Sequence, residues 1–189
     1  MDAILKREVV LNKTICKIIG VSVFVILTSL GAFVRIPLPW TPVPLTLQTF
    51  FVLLSGAFLG AGLGSLSQII YMVLGISGIS IFTSTGSGWL YIAGPTGGYL
   101  VGFIAASWLV GKLIRHFETN LFFVFALFCL SDFVILASGA LWLKLIFNLS
   151  FYKMMGIGFM PFILGDLLKS FAAASIYLKC RNRVKVIFK

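Results

Sequence analysis

Between Arg35 and Lys112 the chain carries no charged side chain, a run of 76 residues at positions 36–111. A water-soluble domain needs charged and polar groups over most of its surface, so a run this long has to fold where water is absent. The rest of the 189 residues agrees, with 60% apolar, 15% aromatic and only 11% charged. An all-α integral membrane protein is therefore expected, because helices satisfy their own backbone hydrogen bonds in lipid. At about 20 residues per crossing there is room for about six spans and little else. A single membrane-embedded domain over residues 1–189 follows.

Since the run has no charges to mark its turns, glycine and proline must mark them. The first span is placed at 18–34 and is closed by Arg35 and by Pro37, Pro39, Pro42 and Pro44, none suited to a helix interior. Residues 45–74 as one helix would reach about 45 Å at 1.5 Å per residue, against a hydrocarbon core of about 30 Å. A turn within Gly60-Ala61-Gly62-Leu63-Gly64 divides it into two short spans. Gly56, Gly60 and Gly64, four apart, also suit close helix contact. A long glycine-rich segment at 75–98 then forms an outer loop between helices 3 and 4, before spans at 99–110, 121–143 and 157–178. With six spans, eleven of the fifteen basic residues collect on one side: Lys6, Arg7, Lys13, Lys17, Lys112, Arg115, Lys179, Arg181, Arg183, Lys185 and Lys189. Only Arg35, Lys144 and Lys153 fall on the other. The positive-inside tendency then places both termini in the cytoplasm and the chain in the plasma (inner) membrane as a multi-pass protein. The net charge of +10 thus reports topology, and a nucleic-acid partner is excluded because no soluble basic face exists.

Ionisable groups inside spans cost about 2.5–3.5 kcal/mol each on insertion scales and need a reason to be there. Asp166 and Lys169, three residues apart on one helix face, lie about 13 and 18 Å from the outer end of the last span; Asp132 lies about 16 Å from the inner end of the fifth. The charges could neutralise one another, with Asp132 as a second partner for Lys169. They could equally hold a small polar ligand, the carboxylate accepting N–H donors and the ammonium an anion. A proton relay through Asp166 is a further reading, as is an intramembrane enzyme using Asp166 with Asp132. Trp40, Tyr71, Phe82, Trp89, Tyr91 and Tyr99 could stack on an apolar ligand or form interfacial belts. Gln48 and Gln68 are amides in apolar segments that need hydrogen-bond partners. No catalytic constellation, metal-ligand spacing or cofactor motif is present. Around Gly111-Lys112, Ala106 and Leu113 stand where a phosphate-binding loop needs Gly and Ser/Thr, so ATP hydrolysis by that route is excluded.

Four ordered strings resemble one family. They are Arg35-Ile36-Pro37-Leu38-Pro39 with Pro42-Val43-Pro44-Leu45-Thr46-Leu47-Gln48-Thr49, then Gly75-x-x-Gly78-x-x-Ile81-Phe82, Gly94-Pro95-Thr96-Gly97-Gly98-Tyr99-Leu100 and Pro161-Phe162-x-x-Gly165-Asp166-x-x-Lys169. Over roughly 20–178 the chain resembles the BioY family, the biotin-binding S components of energy-coupling factor (ECF) transporters. The resemblance implies a non-enzymatic subunit that binds biotin at the outer side, between the last three helices and the loops that cap them. Its implied partners are biotin, membrane lipids, a transmembrane coupling protein and two ATP-binding-cassette ATPases, with a homo-oligomer left open. It implies that Asp166 accepts the ureido N–H groups of biotin and that Lys169 binds its carboxylate. Thr83, Ser84 and Thr85, just after Phe82, would close over the ring. Phe82, Tyr99 and Gln48 join the expected pocket on the reading of the residues alone, as rings and an amide able to complete it. An S component for another small vitamin is the nearest alternative. Ser80 stands where the family has a proline, and Val25-x-x-x-Ser29 where alanines are usual for docking.

Overall fold

The computed structural model describes residues 13–117 and 120–188, so Lys6, Arg7 and Lys189 of the charge argument lie outside the described residues. Helix α1 (Lys13–Phe33) leads into a short antiparallel pair, β1 (Arg35–Ile36) on β2 (Leu45–Thr46), in the register Arg35↔Thr46 and Ile36↔Leu45. Pro37, Pro39, Pro42 and Pro44 fall in the connection, where a missing N–H removes no ladder bond.

Helix α2 (Gln48–Ile76) is interrupted at Gly60, whose φ of 80° and ψ of 176° are open to glycine and strained for any other residue. The chain reverses there. Gln48 Nε2 lies 2.7 Å from Tyr71 Oη, and Gln68 Nε2 lies 3.1 Å from Ser55 Oγ. In an unbroken helix those pairs would be about 35 and 20 Å apart along the axis. Gly56 and Gly64 meet across the two arms, since a Cβ on Gly64 would come within 2.9 Å of Gly56 Cα. The two small residues let the arms touch along their backbones.

The segment expected as an outer loop is itself folded. It holds a 3-10 turn (Thr83–Thr85) and the short α3 (Trp89–Ala93), and Phe82 is fully buried beneath it. Helix α4 (Gly97–Phe117) follows, then α5 (Leu121–Phe147). At the start of α5 the Asn120 side chain accepts the Phe122 N–H at 2.9 Å, and Asn148 closes it in the left-handed conformation at φ 48°. The expected last span at 157–178 is not continuous. Helix α6 (Phe151–Gly158) stops, a 3-10 turn (Met160–Phe162) containing Pro161 intervenes, and α7 (Ile163–Phe188) begins. Pro161 cannot donate into a continuing helix. Asp166 therefore sits in the first turn of α7 rather than deep within a single rod.

Helix α4 packs between α2 and α5, α1 lies on α2, and α7 closes the bundle against α2 and α5. Among the described residues five stretches are long and apolar enough to cross a membrane: Thr14–Phe33, Gln48–Ile76, Gly97–His116, Leu121–Phe147 and Phe151–Asn182. Ile18, Ile26, Leu145 and Leu168 are all more than half exposed, as they should be where the solvent is hydrocarbon.

Candidate ligand site

Strand β2 and the start of α2 run past the first turn of α7, and this approach assembles the polar end of the site. Gly165 permits it, because a Cβ there would come within 2.9 Å of the Leu45 side chain. Thr49 then donates its hydroxyl to Asp166 Oδ1 at 3.3 Å, and Lys169 Nζ donates to the Thr46 carbonyl at 2.9 Å. Lys169 Nζ also lies 2.5 Å from Asp166 Oδ1.

The aromatic part comes from the second arm of α2 and the folded loop. Gln48 Nε2 donates to Tyr71, whose hydroxyl donates to the Ile81 carbonyl at 3.2 Å. This pins the loop just before Phe82. The Phe82 ring stacks on Tyr91 at a centroid distance of 4.7 Å and meets Tyr71 edge-on at 5.5 Å. Thr83 and Tyr91 share a hydroxyl hydrogen bond. From α4, Tyr99 donates to the Gly158 carbonyl at 2.6 Å and packs edge-on against Phe162. Neutral hydroxyls and rings are thereby fixed around one space.

That space is a cavity walled on one side by the ion pair and on the others by the aromatic rings. Of the residues expected from sequence, Gln48, Phe82, Thr83, Tyr99, Asp166 and Lys169 line it together. Ser84 and Thr85 are exposed, with left-handed φ values of 61° and 57°, and do not line it. Trp40 and Trp89 are exposed as well. Thr46, Thr49, Tyr71 and Tyr91 also line it. Thr49 could have been found from its place beside Gln48, a second polar group at the mouth of an apolar arm. Nothing local places its hydroxyl on a carboxylate 117 positions away. The alternative in which Asp132 pairs with Lys169 is not what the structure has: the hydrogen-bond partner of Asp132 is Ser170, and it lies outside this cavity.

A bundle of apolar helices around a cavity with one ion pair and a ring of aromatics defines a multi-pass α-helical membrane protein with a polar site in its interior. The sequence pattern of the BioY family matches residues 6–186. The chain belongs to the BioY family. It is 36% identical over 171 residues to the "Biotin transporter BioY" of Thermotoga maritima, covering 88% of this chain and 96% of that one. It is 40% identical over 158 residues to the "Probable biotin transporter BioY" of Pyrococcus horikoshii, covering 82% and 90%. Its fold matches the crystal structure of an S component for biotin from an ECF-type ABC transporter with a TM-score of 0.87 at 22% identity, covering 95% of this chain and 98% of that one.

Proposed function

We propose that this protein is the biotin-specific S component of an ECF transporter. It has no catalytic activity of its own. It captures the vitamin at the outer face of the plasma membrane and delivers it when docked on a transmembrane coupling protein driven by two ABC ATPases. The observation that carries this reading is the Asp166–Lys169 pair set in the wall of an aromatic cavity. Biotin is built to match it, with two N–H donors on a ureido ring, a carboxylate at the far end and apolar atoms between.

Asp166 and Lys169 satisfy one another at 2.5 Å, so a ligand with its donors and its anion at opposite ends must part them. The ureido N–H groups take over Asp166, with Thr49 still holding it. The ammonium follows the incoming carboxylate on its flexible four-carbon stem, and the Thr46 carbonyl is the second contact it can keep. Phe82, Thr83, Tyr91 and Tyr99 surround the ring system and exclude water, while Gln48 fixes Tyr71 and through it the loop. Ser84 and Thr85 act, in this reading, only as the loop turns inward over the ring. The chain works as one domain over 1–189, crosses six times because α2 is a hairpin, and keeps both termini in the cytoplasm.

Equilibrium binding of labelled biotin to detergent-solubilised protein tests the assignment. Lys169→Ala removes a buried charge-assisted contact and is expected to weaken biotin by about 2 kcal/mol or more. Biotin amidated at its carboxyl lacks the anion, so its affinity should change far less. Equal losses for the two ligands would reject the role of Lys169, and stronger binding of a different vitamin would reject the substrate.

A further inference from the structure

A second cavity, of about 160 Å3, lies between α5 and α7 and shares only Leu136 and Asp166 with the first. Its lining is almost entirely apolar. Two of its wall residues, Phe133 and Leu167, are 55% and 41% exposed on the outer surface of the bundle. Those faces belong to stretches apolar enough to cross a membrane, so the cavity opens to hydrocarbon and not to water.

Into this slot the chain places a carboxyl group. Asp132 is only 3% exposed; its Oδ2 accepts from Ser170, and its buried Oδ1 has no hydrogen-bond partner among the described residues. The direct contacts of the neighbouring Lys169 ammonium are to Asp166 and to the Thr46 carbonyl, not to Asp132. A buried acceptor left without a donor costs about 1–3 kcal/mol, more if charged. A ligand that supplies the donor removes that cost.

The complement of such a slot is an apolar body carrying one N–H donor of opposite charge. An alcohol offers the hydrogen bond without the charge, and a quaternary ammonium offers the charge without the hydrogen bond. A primary amine offers both. It can also enter uncharged from the bilayer, since R–NH2 meeting a carboxylic acid takes up its proton and gives the same pair as R–NH3+ meeting a carboxylate. We infer that the slot between α5 and α7 binds a primary amine on an apolar body, drawn from the bilayer, with its nitrogen on Asp132 Oδ1 and its chain against Phe133 and Leu167. Asp166 forms part of both cavity walls, so the two sites are back to back.

The test uses the full chain in phosphatidylcholine vesicles, which contain no primary amine, and an octylamine bearing a diazirine at the chain end. Photolabelling should map to lining residues of α5 and α7 and be competed by excess octylamine. Octanol, octane and octyltrimethylammonium should compete about tenfold less well or worse. Asp132→Asn retains an acceptor for Ser170 but loses the charge, and should lower labelling by a similar factor. Unchanged labelling in that variant, or octane or octanol competing as well as octylamine, overturns the inference. The competition series needs no variant, so a poorly folding Asp132→Asn protein does not leave the matter open. Neither measurement uses biotin, so failure here is separate from failure of the proposed function.

Discussion

Two carboxylates are buried back to back in this bundle, and their surroundings have little in common. Asp166 stands in the first turn of α7 with a lysine at 2.5 Å and a threonine hydroxyl at 3.3 Å, beside a cavity ringed by hydroxyls and aromatics. Asp132 stands mid-way along α5 with one serine as its partner and an apolar slot in front of it. The residue type is the same, yet the first environment is prepared for a charge and the second is not. A lysine ammonium and a threonine hydroxyl face Asp166 directly. Asp132 has one hydroxyl as its hydrogen-bond partner among the described residues and no ion pair. The difference predicts that mutations around the first acid act through electrostatics, and around the second through a single hydrogen bond.

The largest effect should come from breaking the ion pair. Lys169→Met leaves Asp166 buried beside an apolar chain, and losing one partner of a buried pair costs about 3–5 kcal/mol. Adding Asp166→Leu should recover much of that stability, because the orphaned charge goes with it. Thermal unfolding of the two single variants and the double variant in one detergent measures the coupling. If the double variant is as unstable as the sum of the singles, the pair is not coupled and Asp166 resembles Asp132 after all. Neither single variant nor the double should bind biotin well, so stability and function separate in the double variant.

The legibility of the two regions in the sequence also differs. The charge-free run required a membrane fold, and the acid and base three apart required an explanation that the cavity supplies. Gly60 was visible as a break because an unbroken α2 is too long for a bilayer. What escaped was anything set by distant contact. Thr46 and Thr49 approach α7 only because β2 pairs with β1 and Gly165 lets Leu45 close in. The outer segment read as a loop because its glycines and serines mask a fold organised from outside it, by the Tyr71 hydroxyl on the Ile81 carbonyl and by Phe82 stacked on Tyr91. The last span read as one rod because its hydropathy continues through Pro161, although the backbone does not. Asp132 looked like a partner for Lys169 from depth alone. Depth says nothing of azimuth, and the structure turns it toward Ser170.

A smaller effect separates the two acids by their hydroxyl partners. Ser170→Ala strips Asp132 of its one hydrogen bond among the described residues and should cost about 1–3 kcal/mol of stability. Thr49→Val removes a longer, 3.3 Å bond from an acid that still has its lysine, and about 1 kcal/mol is expected. The order should reverse for biotin affinity, where Thr49→Val weakens binding and Ser170→Ala does not. Measuring unfolding and binding on the same two proteins gives a crossed pattern. A parallel pattern would mean that the two regions are one energetic unit.

The smallest change expected is also the sharpest on the comparison. Asp132→Asn preserves shape and an acceptor for Ser170, so it removes only the capacity to carry charge. Because Asp132 lies outside the vitamin cavity and makes no ion pair with Lys169, biotin affinity should move much less than for the matched change at Asp166. The matched substitution Asp166→Asn removes the acceptor charge that the ureido N–H groups need. It should cost about 1.5–3 kcal/mol of binding, the worth of a hydrogen bond to a charged group. Titration of both variants with labelled biotin in one detergent decides it. A loss at Asp132→Asn comparable to that at Asp166→Asn would show the field of the second acid reaching through the shared wall, and the two regions would then have to be treated as one site.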